Sequence, residues 1–159
     1  PAFVEGHEDY RIITHFFLHF GLEHLVNNMI ALLVLGYTLE QDIGRIRYLI
    51  LYMLSGILSG FVSVYVNWSL GENVVSCGAS GAIYGLMGAL LMVLLKNRKQ
   101  IVREDIIRFG IYLVLSLYSG MQDSGIDNTA HLSGAVIGFI LCGVLYRRKN
   151  KTDIRIGGY

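Results

Sequence analysis

The chain has 159 residues, of which 53 % are hydrophobic and only 16 % charged, with a net charge of +1 and a mean hydropathy of +0.52. A soluble domain of this size carries about 25 % charged residues, so the composition excludes an ordinary water-soluble globule and points to one membrane-embedded domain over residues 1–159. The net charge names no partner, and no nucleic-acid ligand is expected.

A single proline leaves room for long uninterrupted helices. The nineteen glycines fit membrane helices that pack closely. Long apolar stretches predict an all-α membrane protein, a polytopic bundle of five transmembrane helices. The first span, 14–39, carries His15, His19, His24 and Asn28. A short segment with Arg45 and Arg47 leads to the second span, 48–66, and then to an outer loop, 67–77. The third span, 80–95, opens with Gly78-Ala79-Ser80-Gly81 and continues with Tyr84 and Gly85. Lys96, Arg98, Lys99, Arg103 and Arg108 surround the start of the fourth span, 106–119. A loop over 119–129 precedes the fifth span, 131–146, which carries His131, Gly134 and Gly138. The tail, 147–159, is basic. Cys77 and Cys142 differ in depth by about 16 Å at the helical rise, so no disulfide is expected.

Twelve of the thirteen Lys and Arg residues fall in alternate connections and the tail, leaving only Arg11 on the other side. The positive-inside rule therefore puts the N-terminus outside and the C-terminus in the cytoplasm. It also brings Ser80 and His131 to the outer ends of their helices.

Ionisable and polar side chains inside a membrane span are costly and are functional candidates. His24, Ser80 and His131 each stand about 22 Å above the inner end of their span, so three helices deliver two imidazoles and a hydroxyl to one level. Asn28 lies about one turn deeper. A serine hydroxyl needs a neighbouring base, and histidine titrates near neutral pH. The developing oxyanion needs donors, which Asn28, His24 and the Ser80 backbone N–H are in position to supply. Taken singly, the serine would bond its own backbone and the histidine would be an interfacial residue. Their common depth, and the glycines flanking Ser80, favour a catalytic pair. Spans three and five are short, which implies a cavity open to the outside. Gly78 and Gly81 let other groups approach the hydroxyl. Gly81 and Gly85 face Gly134 and Gly138 as two small-residue surfaces, which draws Ser80 towards His131. Tyr84, one turn below Ser80, is placed to stack on the His131 ring.

The motif Gly78-Ala79-Ser80-Gly81 with Tyr84, then Ala130-His131-Leu132-Ser133-Gly134, and the run His15-x3-His19-x4-His24-x3-Asn28 together resemble the rhomboid family of intramembrane serine proteases, bacterial type. The resemblance covers nearly the whole chain. It implies Ser80 as nucleophile and His131 as base in a dyad without a carboxylate. It implies His24, Asn28 and the Ser80 N–H as the oxyanion site, with Tyr84, Gly78 and Gly81 in support. It implies no cofactor and no metal. The 119–129 loop would cap the site, in a multi-pass protein of the bacterial cell membrane. Substrates would be transmembrane segments of other proteins in the lipid bilayer, cut near the outer face after a small residue. The family core has six helices; this sequence opens inside what resembles the first outer loop, with Tyr10-Arg11 where the family often has Trp-Arg, so the rhomboid-like core is expected minus its first helix. The runner-up is a catalytically inactive rhomboid-like protein that binds membrane clients, but such relatives typically lack the serine or the histidine. A metal-dependent enzyme built on His15 and His19 lacks a carboxylate at any span centre, and a transporter would show an inverted repeat.

Overall fold

The structure is a computed structural model that describes residues 10, 14–71, 78–99, 101–121 and 126–146. Every regular element among them is helical. A short 3-10 turn (His15–Phe17) precedes α1 (Leu22–Ile43), α2 (Arg45–Ser69), α3 (Ser80–Lys96), α4 (Arg103–Met121) and α5 (Asn128–Leu145). Three of these, α1, α2 and α5, are long and apolar enough to cross a membrane. The shorter α3 and the more polar α4, the latter with Arg103, Glu104, Asp105 and Arg108 in its first turns, complete the bundle.

The five predicted spans are the five helices, with shifted ends. The first helix starts at Leu22 rather than at residue 14, because Gly21 takes φ 148°, a conformation that breaks the helical path. His15 and His19 therefore do not share a helix face. Gly44, at φ 86°, ends α1 and begins α2, its N–H bonding Glu40 O at 2.9 Å. The second helix takes in Arg45 and Arg47 at one end and Asn67 at the other, so Asn67 is helical rather than looped. Helix α5 begins three residues before His131, because the Asp127 side chain accepts from Ala130 N and caps it. Arg11, Cys77, the tail 147–159 and the tip of the 119–129 loop lie outside the described residues. Cys142 is a buried free thiol.

Helix α3 is the centre of the bundle. Every residue from Gly81 to Ala89 is buried, as expected of a helix apolar on all sides. It packs most extensively against α5 and α2, and α4 is the most peripheral helix. The α3–α5 seam is backbone on backbone. A Cβ on Gly134 would run into Gly81 O, one on Gly138 into Gly85 O, and one on Gly88 into the Ala135 carbonyl. These pairings make α3 and α5 parallel, with both N-termini at one end. Helix α2 lays Ser55, Ser59 and Ser63, spaced four apart, into the bundle, and the Ser59 and Ser55 side chains sit against Gly81 and Gly85. The outward faces are apolar and exposed: Leu33 is 72 % and Val144 79 % accessible, a surface suited to lipid tails.

Candidate active site

The first turns of α1, α3 and α5 meet at one end of the bundle. They line a cavity of about 1360 Å³ that His24, Asn28, Gly78, Ser80, Tyr84 and His131 all reach. The segment leading into α3 is tied down by the Gly78 N–H, which donates to His15 O at 2.8 Å. Gly78 is required twice. Its φ is 110°, and a Cβ there would sit 2.8 Å from His24 Cε1. The turn delivers Ser80 as the first residue of α3, where its backbone N–H has no partner within the helix.

His131 occupies the first turn of α5, so the glycine seam sets its height relative to Ser80. His131 Nε2 and Ser80 Oγ are 2.8 Å apart. The His131 ring is 8 % exposed and stacks on Tyr84, with ring centroids 4.3 Å apart and planes 23° from parallel. The Tyr84 hydroxyl in turn pairs with Ser116 Oγ on α4 at 2.7 Å, which fixes the ring beneath the histidine.

On the opposite wall, α1 supplies His24 and Asn28. The Phe20 N–H donates to His24 Nδ1 at 3.3 Å, so a neutral His24 ring carries its hydrogen on Nε2. That atom lies 3.2 Å, and Asn28 Nδ2 lies 3.5 Å, from the position a Gly78 Cβ would take. Asn28 is 7 % exposed, and its Nδ2 has no partner among the described residues. Two N–H donors therefore converge on the bare Cα of Gly78, next to Ser80. His15 and His19 flank this wall: the His15 ring packs against Gly60 and reaches the cavity, and the His19 ring meets His24 edge-on with centroids 5.2 Å apart. Among the described residues no three His, Cys, Asp or Glu side chains gather as a metal site would need.

The structure thus brings together Ser80, His131, His24, Asn28, Tyr84, Gly78 and Gly81. It also brings in residues given no role in the sequence analysis. Asp127, just ahead of α5, uses both carboxylate oxygens. Its Oδ1 accepts from Ala130 N at 2.9 Å, and its Oδ2 accepts from Ser63 Oγ at 2.5 Å. Asn67 Nδ2 donates to the same Ser63 oxygen at 2.9 Å. This chain of bonds ties the start of α5 to α2. The readable sign was an aspartate three residues ahead of Ala130, the spacing of a helix cap. Ser116, the partner of Tyr84, carries no such mark.

Comparison with known proteins agrees with this architecture. The Rhomboid domain family matches residues 6–148. The chain is 36 % identical over 138 residues to the Rhomboid protease GluP of Bacillus subtilis, covering 87 % of this chain and 26 % of that protein. It is 40 % identical over 149 residues to RHOMBOID-like protein 5 of Arabidopsis thaliana, covering 91 % of this chain and 47 % of the relative. It is 33 % identical over 148 residues to the putative rhomboid protease YdcA of Bacillus subtilis, with 93 % and 73 % covered. The chain therefore spans a quarter to a half of the length of the first two relatives. With helices able to span a bilayer and a family match over most of its length, the chain belongs to the rhomboid family of integral membrane proteins.

Proposed function

We propose that the chain is an intramembrane serine endopeptidase that cuts transmembrane segments of other membrane proteins, with Ser80 as nucleophile and His131 as general base. The observation that carries this reading is the 2.8 Å approach of His131 Nε2 to Ser80 Oγ inside a cavity that His24 and Asn28 also line. His131 accepts the Ser80 proton as the hydroxyl oxygen attacks the scissile carbonyl. The carbonyl oxygen becomes an oxyanion, which takes hydrogen bonds from Asn28 Nδ2, His24 Nε2 and the Ser80 N–H. An unpartnered buried donor such as Asn28 Nδ2 is what such a site requires before substrate arrives. His131 then protonates the leaving amine, and water entering the cavity releases the acyl group from Ser80 by the reverse sequence. Tyr84 keeps the imidazole in plane throughout.

A helical substrate holds its carbonyls in internal hydrogen bonds, so the segment must unwind locally before Ser80 reaches a carbonyl carbon. Sites near a membrane face, after a small residue, meet that need at least cost. The orientation follows from the basic residues at the ends of α2, α3 and α4 remote from the site. They belong in the cytoplasm and Ser80 near the outer face, in a bacterial cell membrane.

The test uses the protein reconstituted in liposomes with a model transmembrane substrate. Ser80→Ala and His131→Ala each lower cleavage by about 10³-fold or more. A fluorophosphonate labels wild-type protein on Ser80 and leaves Ser80→Ala unlabelled. Cleavage that survives Ser80→Ala overturns the reading. Folded wild-type protein that neither cleaves nor labels would instead be a client-binding member of the family.

A further inference from the structure

Two buried polar atoms beside the Ser80–His131 pair have no partner among the described residues, and they are of opposite kind: His131 Nδ1 and Asn128 Oδ1. For Nε2 to accept the Ser80 proton, the hydrogen of the neutral ring must sit on Nδ1. Nδ1 is then a buried donor. Asn128 Oδ1 is identified as the acceptor end of its amide, because Asn128 Nδ2 donates to Gly120 O at 3.1 Å and to Ile126 O at 3.2 Å. Both unpartnered atoms open onto one small space. The position a Cβ would take on Gly120 lies 2.8 Å from Asn128 Oδ1 and 3.7 Å from His131 Nδ1. Asn128 and His131 are three residues apart on the first turn of α5 and so share a face. Asp127, the carboxylate nearest in sequence, spends both oxygens on Ala130 and Ser63.

We propose that Asn128 is a positioning residue for His131. Its Oδ1 accepts the Nδ1 hydrogen, directly after a small side-chain rotation or through one bridging water. That bond holds the tautomer in which Nε2 is free to accept from Ser80. A neutral amide thereby serves where soluble serine proteases place an aspartate. Gly120 belongs to the same device, because a methyl group there would fill the space between donor and acceptor. The inference rests on the Ser80–His131 reading and deepens it.

The test is steady-state cleavage by the reconstituted protein across pH, comparing wild type, Asn128→Ala, Asn128→Asp and Ser80→Ala. Asn128→Ala lowers kcat by about 10- to 100-fold with KM within about twofold. Asn128→Asp stays active at neutral and alkaline pH, and the acidic limb of its rate profile moves to higher pH by about one unit, because a carboxylate beside Nδ1 favours the protonated ring. A residue 128 remote from the ring would not move that limb, and the loss of kcat at unchanged KM in Asn128→Ala carries the positioning role. Among the described residues, the titratable groups facing the same cavity are His15 ahead of α1, Glu23 and His24 on α1, Tyr84 on α3, Tyr112 on α4 and Asp127 at the start of α5, while α2 brings only Ser59. All are common to the four proteins, so the difference between profiles reads Asn128.

A wild-type kcat in Asn128→Ala overturns the proposal, as does an unmoved acidic limb in Asn128→Asp. If Asn128→Ala does not fold, nitrogen-15 NMR of the His131 ring in the wild-type protein decides. Hydrogen on Nδ1 is expected, and hydrogen on Nε2 overturns the proposal. Ser80→Ala separates the two levels. If it still cleaves, the dyad reading falls and the Asn128 assignment with it. If it is inert while both Asn128 variants match wild type, only the assignment falls.

Discussion

The two ends of the α3–α5 pair are built on the same glycine seam and treat their polar atoms in opposite ways. At the far end, Lys96 Nζ donates to Gly143 O at 2.5 Å and to Tyr146 O at 3.0 Å, with the Tyr146 ring 5.8 Å away. Asn97 Nδ2 donates to the Tyr146 hydroxyl at 2.7 Å. There the last carbonyls of α5 are closed off by a cation, as a helix C-terminus favours. At the Ser80 end, Asn28 Nδ2, Asn128 Oδ1, His131 Nδ1 and His19 Nε2 are buried without a partner among the described residues. Unpaired buried groups cost stability, and native structures keep few of them. The contrast separates an end whose polar atoms tie two helices together from an end where buried polar atoms, Asn28 Nδ2 among them, are left without such ties.

The largest effect is expected at what both ends share. In Gly138→Ala the added methyl would overlap Gly85 O, a backbone atom that no side-chain rotation can move aside. The seam must open, which costs about 3 kcal/mol. The 2.8 Å Ser80–His131 approach should be lost with it. Thermal unfolding in detergent and cleavage in liposomes should therefore fall together. A variant that melts and cleaves like wild type would show that the seam does not set the dyad geometry.

Next in size is Asn28→Ala, which addresses the Ser80 end alone. On the proposed function this removes one oxyanion donor, and kcat should fall by about 10²- to 10³-fold. Stability should hold or rise slightly, because the deleted amide donor has no partner to lose. A melting temperature that drops in step with kcat would assign Asn28 to the framework instead.

This division was only partly legible in the sequence. The five helices were, because apolar runs separated by basic segments report the bilayer directly. The Gly81–Gly85 and Gly134–Gly138 surfaces were, because a four-residue spacing of small side chains has few other uses in a membrane helix. The start of α1 was not, since the apolar residues around His15 and Phe20 continue the helical pattern and only the backbone of Gly21 breaks it. The Ser63–Asp127 tie was equally hidden. It joins residues 64 positions apart, and a serine in a membrane helix looks the same whether it bonds its own backbone, as Ser59 does to Gly56 O, or a partner, as Ser63 does. Depth along a helix can be counted from the sequence. The direction in which a side chain points once neighbouring helices have closed around it cannot.

The smallest effect should come from the satisfied end, and it is the sharpest test of the contrast. Lys96→Met keeps the aliphatic stem and removes the ammonium, so packing along α3 is retained while two carbonyls of α5 lose their donor. The group is only partly buried, and those carbonyls regain water or headgroup contacts, so the loss is about 1 to 2 kcal/mol. The melting temperature should fall by a few degrees. Turnover per fluorophosphonate-titrated site should stay within about twofold of wild type, because the Ser80–His131 approach depends on the seam rather than on the cap beneath it. A drop in per-site turnover would mean that strain at the far end of α5 reaches His131 along the helix, and the two ends would then be one mechanical unit rather than two.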